Sequence, residues 1–319
     1  MIETWLQPLP HGITLSCHAA GARGRPVLLF LHGFPEAAFV WDLLLEHFAK
    51  PEHGGYRCVA PNLRGFEQSS TPTEVAQYRP KFLVQDIAAL IAIESPGQPL
   101  ACLVAHDWGG AVAWNLANQM PQLLQRLAII NSPHPGTFLR ELQTSPQQQA
   151  ASAYMNFLIR PDAEALLAQD DFRRLFEFFT NMGASSDGQG GYGWLTEAVK
   201  AQYRAVWRGP PNGTAGSAPG AGLTGGCNYY RASPLRPPRA GDPAAAVCLP
   251  REMLTVDLPT LVLWAMDDIA LPPALIDGLD AYIAKLELHR IAGASHWVVH
   301  EQPQLVIHYL AQFLAKLPN

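Results

Sequence analysis

Short, continuous apolar runs separated by helical patterns constrain this chain more than any other feature. Val27-Leu28-Leu29-Phe30-Leu31 is apolar at every residue, and Arg57-Cys58-Val59-Ala60, Leu100 to Ala105 and Arg126 to Ile130 follow it as further strand-length segments. Strands that are apolar throughout, rather than at alternate residues, are buried on both faces. Between them Trp41, Leu44, Leu45 and Phe48 recur at i, i+3, i+4 and i+7, and Leu83, Ile87, Leu90 and Ile91 mark a second helical face. Strand, helix and strand repeated in this way predict an α/β protein, a mostly parallel sheet flanked by helices. The rhythm resumes after residue 255. Thr260 to Trp264 reads as a strand, Pro273 to Lys285 as a helix and Leu286 to Ile291 as a strand. A closing helix carries Val306, Leu310, Phe313 and Leu314.

The middle of the chain is different. Ala150 to Phe157, Ala163 to Met182 and Leu195 to Trp207 read as helices, with no buried strand among them. Arg208 to Pro250 is dense in glycine and proline, which predicts irregular loop. The expected organisation is a core of residues 1–132 and 251–319 interrupted by a helical cap of 133–250. Composition suits one large buried core, at 48% hydrophobic and 15% charged. The 22 basic against 27 acidic side chains leave a net charge of −5, which argues against nucleic acid as a partner.

The apolar runs are too short to span a bilayer, and the start, MIETWLQPLPHG, lacks the basic and apolar regions of a secretory signal. Five cysteines without C-x-x-C spacing read as free thiols in a reducing compartment. A cytoplasmic protein without membrane association, bound metal or organic cofactor is the expectation, as monomer or homodimer.

Chemistry concentrates after the strands. The third apolar run leads into Ala105-His106-Asp107-Trp108-Gly109-Gly110 and then a helix. Small residues two before and two after a central side chain are what a sharp strand-to-helix elbow requires. The central residue is Asp107, which could also serve simply as a helix N-cap. Leu31-His32-Gly33-Phe34-Pro35-Glu36 follows the first buried strand, so the N–H of Phe34 can pair with that of Trp108 as an oxyanion hole. Downstream, Asp268 and His296 each follow a strand, giving the chain order nucleophile, acid, histidine.

With these residues in view, the sequence resembles the α/β-hydrolase superfamily, and within it the epoxide hydrolases and dehalogenases with an aspartate nucleophile. The resemblance runs through HGFPE at 32–36, NLRGFEQSS at 62–70, HDWGG at 106–110, NSPHP at 131–135, DD at 267–268 and SHW at 295–297. Glu67 and Ala265 stand where glycine is usual. The resemblance implies Asp107 as nucleophile, His296 as base and Asp268, rather than Asp267, as its orienting acid. Tyr154, seven residues before Pro161, and Tyr230, directly before Arg231, match the two cap tyrosines of epoxide hydrolases. His32, Trp108, Phe157 and Trp297 are expected around the substrate pocket.

An aspartate is ionised at neutral pH and can attack an sp³ carbon without a base to deprotonate it. An epoxide oxygen leaves as an alkoxide and needs an acid, which a phenol supplies. The expected activity is therefore hydrolysis of a small apolar epoxide to a vicinal diol, through an ester on Asp107 opened by water that His296 activates. Haloalkane or haloacetate dehalogenation by the same nucleophile is the alternative. A non-enzymatic ligand-binding protein of the same fold is a second one, disfavoured because all three triad positions are filled.

Overall fold

Apolar continuity has the structural result that the sequence implies. The computed structural model describes residues 1–184, 193–209, 221–239 and 247–316. Eight strands form one sheet: β1 (Glu3–Pro8), β2 (Thr14–Ala20), β3 (Val27–Leu31), β4 (Arg57–Pro61), β5 (Cys102–His106), β6 (Leu127–Ile130), β7 (Thr260–Ala265) and β8 (Leu286–Ile291). Their spatial order is β1-β2-β4-β3-β5-β6-β7-β8. β1 pairs with β2, and β2 with β4, antiparallel; every other pairing is parallel. Strands β3 to β7 are buried at every residue.

Helices α1 (Asp42–Phe48), α2 (Pro80–Glu94) and α3 (Trp108–Gln119) follow β3, β4 and β5. Between β6 and β7 the chain is helical among the described residues. It forms α4 (Pro135–Thr144), α5 (Pro146–Ala151), α6 (Tyr154–Leu158), α7 (Ala163–Asn181), α8 (Glu197–Arg208) and α9 (Thr224–Ala232). The chain ends in α10 (Val298–Glu301) and α11 (Pro303–Ala315). The sheet reverses its winding at β3, which sits between β4 and β5. A crevice therefore opens between the carboxyl ends of β3 and β5, and both HGFPE and the Asp107 turn leave the sheet there.

The helix expected over Ala163 to Met182 is interrupted inside α7, where Gln169 to Phe172 leave helical backbone angles, and four other elements differ from the sequence expectation. The β1–β2 hairpin was not foreseen, because Thr14–Ala20 carries Ser16 and His18 and so lacks a continuous apolar run. The helix expected over Pro273 to Lys285 is instead two 3₁₀ turns, Pro273–Ile276 and Leu279–Ala281. Gly278 lies between them at φ +78°, a left-handed conformation that ends helical winding. The helix expected over Ala150 to Phe157 is broken between α5 and α6.

The last of these differences falls in the Gly/Pro-rich stretch expected to be loop. Residues 210–220 of the expected 209–226 loop lie outside the described residues, but Thr224–Ala232 is helix α9. Its glycines serve close approach rather than flexibility. A Cβ on Gly225 would fall 2.2 Å from Gly65 Cα, and one on Gly226 would fall 2.6 Å from the Phe34 ring. Gly225→Ala is therefore expected to lift α9, and Tyr230 with it, off the sheet loops. Stability should drop by roughly 1–3 kcal/mol, as for overpacking elsewhere, with turnover falling further than the thermal melt alone accounts for.

Candidate active site

The elbow after β5 is strained and tightly enclosed. Asp107 has φ +48° and ψ −120°, a region that a non-glycine residue occupies only when its surroundings enforce it. Those surroundings are small. A Cβ on Gly33 would lie 2.3 Å from Asp107 Cβ, one on Gly109 2.4 Å from Leu31 O, and one on Gly110 2.3 Å from Ser132 Cβ. Ser132 Oγ donates to the Asp107 carbonyl at 2.6 Å, which fixes the far side of the turn.

The Phe34 N–H donates to Asp107 Oδ1 at 2.8 Å. Trp108 opens α3, so its N–H has no acceptor within the helix. Gly33→Ala is expected to displace the carboxylate from the Phe34 donor. Activity should fall by roughly 100-fold or more, as when one oxyanion donor is removed.

Facing the elbow stands His296, in the loop after β8. Its Nδ1 meets Asp268 Oδ2 at 2.6 Å, and its Nε2 lies 3.9 Å from Asp107 Oδ2. Asp268 follows β7 and is buried, whereas the adjacent Asp267 is exposed. Asn131 Nδ2 donates to Asp268 Oδ2 at 2.9 Å, while the N–H groups of Ala270 and Leu271 donate to Oδ1 at 2.9 and 3.0 Å. Burial opposes the charge on Asp268, but His296 and these donors outweigh it and hold the carboxyl below its usual range.

Burial likewise opposes charge on His296. Asp268 first, then Asp107 and Glu36, overcome it and push the imidazole up to about 9. A histidine whose folded value exceeds its unfolded 6.5 stabilises the fold fully below that unfolded value and loses the contribution as pH rises through about 9. The melting-temperature advantage of the parent over His296→Gln is accordingly expected to shrink between pH 6 and pH 10, read by thermal melts across that range.

Over the elbow lie the two tyrosines, one opening α6 and the other near the end of α9. The Tyr230 ring packs edge-on to Phe34 at 5.4 Å and to Trp108 at 5.0 Å, and the Tyr154 ring is 6.1 Å from it. Burial raises both phenols above their ordinary value, and the Asp107 carboxylate adds to this; Tyr154 raises Tyr230 further, whereas the hydrogen bond with Tyr230 pulls Tyr154 part of the way back. Both are therefore protonated donors across the neutral range. Trp108 is half-buried between Tyr229 and Tyr230.

The remaining pocket expectations divide. His32 is fully buried behind the turn: Nδ1 donates to Gly33 O at 2.9 Å and Nε2 accepts from the Leu63 N–H at 3.0 Å. Burial pushes it down to about 4, so it is a neutral brace for the loop and not a pocket wall. Trp297 is also fully buried. Its indole donates to Phe179 O at 3.0 Å and its ring meets Phe179 at 4.4 Å, which ties the histidine loop to α7 rather than facing a substrate. Phe157 is half-buried on α6, with the Arg160 guanidinium 6.0 Å from its ring.

A buried polar cluster behind the elbow was not singled out from the sequence. Glu36 Oε2 accepts from His106 Nδ1 at 3.0 Å, and His106 Nε2 donates to the carbonyl of His296, also at 3.0 Å. Glu36 Oε1 accepts from Tyr203 Oη at 3.2 Å and from His300 Nε2 at 3.0 Å. Burial alone would raise the carboxyl, but His106 and His300 hold it well below the usual range. Both Glu36 and His106 sit inside recognisable motifs. Their pairing, across 70 residues of chain, is visible only in the fold.

Elbow, donor loop and His–Asp pair stand past the carboxyl ends of β5, β3, β8 and β7, where the α/β hydrolase class carries out its chemistry. A family model described as alpha/beta hydrolase fold matches residues 26–303, and the chain belongs to that family, on its epoxide hydrolase branch. It is 32% identical over 305 residues to Epoxide hydrolase 4 of Mus musculus, covering 95% of this chain and 77% of the mouse protein.

Among solved structures, one described as novel epoxide hydrolases from metagenomes of hot environments superposes with a TM-score of 0.83 at 34% identity, covering 99% of this chain and 100% of that one. A Bacillus megaterium epoxide hydrolase in complex with an inhibitor gives 0.82 at 28% identity, over 98% and 100% of the two chains. Among the described residues no helix is long and apolar enough to cross a membrane.

Proposed function

We propose that this hydrolase converts small apolar epoxides to vicinal diols through an ester on Asp107, with residues 133–250 forming a cap over a core of 1–132 and 251–319. The observation that carries this reading is the tyrosine pair at the elbow: Tyr230 packs on Phe34 and Trp108, and the Tyr154 ring lies 6.1 Å from it. A halide leaving group needs no acid; an alkoxide does.

In the first half-reaction an Asp107 oxygen bonds to an epoxide carbon as the carbon–oxygen bond of the ring breaks. The developing alkoxide takes a proton from the tyrosine pair. The charge of Asp107 helps to hold the phenols up and the His296 proton on. Ester formation removes that charge, so both groups become better acids at that moment. The His296 proton then returns the phenolate to phenol, and His296 becomes a free base.

In the second half-reaction neutral His296 takes a proton from water as the water oxygen adds to the Asp107 carbonyl carbon. The oxyanion is held by the N–H groups of Phe34 and Trp108. Collapse releases the diol and restores the carboxylate and the imidazolium that Asp268 stabilises. The cycle consumes one epoxide and one water. Trp108 and Phe157 are proposed as pocket walls.

A panel of a styrene-type epoxide, a bromoalkane and fluoroacetate tests the substrate class. Diol from the epoxide without halide release from the others is expected. Halide release in place of diol would move the reading to a dehalogenase, and ligand binding without any turnover would move it to a non-enzymatic protein.

A further inference from the structure

Helix α8 lies in the insertion between β6 and β7, yet two of its side chains bond to the loop that follows β3. Trp207 Nε1 donates to Pro35 O at 2.7 Å, and Tyr203 Oη reaches Glu36 Oε1 at 3.2 Å. Pro35 and Glu36 directly follow Phe34, whose N–H meets the Asp107 carboxylate. The same Glu36 oxygen is shared with His300, whose Nε2 is 2.9 Å from Tyr203 Oη.

His300 is in turn stacked on Trp194 from the other side, at 4.0 Å and 3° between ring planes. Trp194 precedes α8, so both partners that grip His300 from outside the core belong to the insertion. Tyr203 and Glu36 are fully buried. In such a site a missing partner is costly and a satisfied one rigid.

We propose that Tyr203 and His300 are positioning residues for the hydrolytic half-reaction: they hold the Glu36 carboxylate, and through His106 the backbone of His296, only while α8 is seated on the core. The proposal rests on the aspartyl-ester reading above. Glu36 is the junction. Its Oε1 takes the hydroxyl of Tyr203 and the ring of His300, and its Oε2 takes His106, whose other nitrogen donates to the His296 carbonyl.

Loss of either Oε1 partner frees the carboxylate to turn, which loosens both the His296 loop and the Phe34 donor one residue away from Pro35. Both features are needed when water opens the ester: one activates the water, the other holds the oxyanion. Attack by Asp107 on the epoxide passes no proton to a base and builds no oxyanion on the carboxyl carbon, so it depends on them far less. Seating of α8 thereby couples closure of the insertion to release of the product.

Single turnovers with enzyme in excess over a styrene-type epoxide test this, following ester formation and ester decay separately. Tyr203→Phe and His300→Leu are expected to slow decay about 10-fold, about the size of one lost buried hydrogen bond. Formation should stay within about 2-fold of the parent. In the steady state kcat and KM then fall together and kcat/KM is kept. His300→Gln, whose amide N–H still reaches Glu36, is expected to retain most of the decay rate, and its thermal melt separates this result from loss of folding. Unchanged decay in His300→Leu, or formation slowed as much as decay, would overturn the proposal. A parent that forms no ester at all would instead refute the aspartyl-ester reading, and the proposal with it.

Discussion

His296→Gln is expected to stop the reaction with Asp107 esterified. Attack by the carboxylate needs no base, so the first half-reaction continues, while the ester has lost the imidazole that reaches both Asp268 and the elbow. Turnover should fall by roughly 10⁴-fold, the scale seen when a triad member is removed. One equivalent of substrate should remain on a peptide containing Asp107, readable by mass spectrometry of the intact and digested protein. Asp268→Asn gives the softer form of the same defect. The amide cannot stabilise the imidazolium, yet the Ala270 and Leu271 donors keep its oxygen in place.

The second large effect is expected from the Tyr154→Phe, Tyr230→Phe double variant. The ring at 230 keeps its packing against Phe34 and Trp108, the ring at 154 its packing against Phe178, and the two keep their contact with each other, so the fold is largely preserved. Both donors to the alkoxide are gone. General-acid assistance contributes roughly 10²–10⁴-fold, and the loss should appear in ester formation rather than ester decay, the reverse of the His296 variant. Each single variant should lose less, because the second phenol stays within reach of the same oxygen. Epoxide turnover that survived unchanged in the double variant would reduce the tyrosines to packing.

The sequence makes some of this architecture legible and hides the rest for physical reasons. Strands β3 to β7 announce themselves because burial on both faces fills their centres with consecutive apolar residues, with polar residues such as Arg57, His106 and Thr260 only at strand ends. The β1–β2 hairpin, with Ser16 and His18 in β2, carries no such mark. Helix α9 is concealed by the very glycines that let it approach Gly65 and Phe34, since the same residues signal loop when their neighbours in space are unknown. In the other direction, Pro273 to Lys285 has a helical composition, and Gly278 in a left-handed conformation divides it into two turns.

At the site, chain order and strand ends point to Asp107, Asp268 and His296, because a catalytic group must leave the sheet at its carboxyl edge. His32 and Trp297 lie beside those motifs, but burial has given them to the backbone of the Leu63 and Phe179 segments. The link from Glu36 to His300 joins residues 264 apart, and no local pattern carries it.

Everything in this account depends on Asp107 forming a bond to carbon, and isotope placement in one turnover tests that directly. With enzyme in excess over a styrene-type epoxide in heavy-oxygen water, the ester route predicts that the first diol contains only ordinary oxygen. The heavy atom should appear in the carboxylate of Asp107. Heavy oxygen in the first-turnover diol, with none in Asp107, would mean that water attacks the epoxide itself, and would contradict the account.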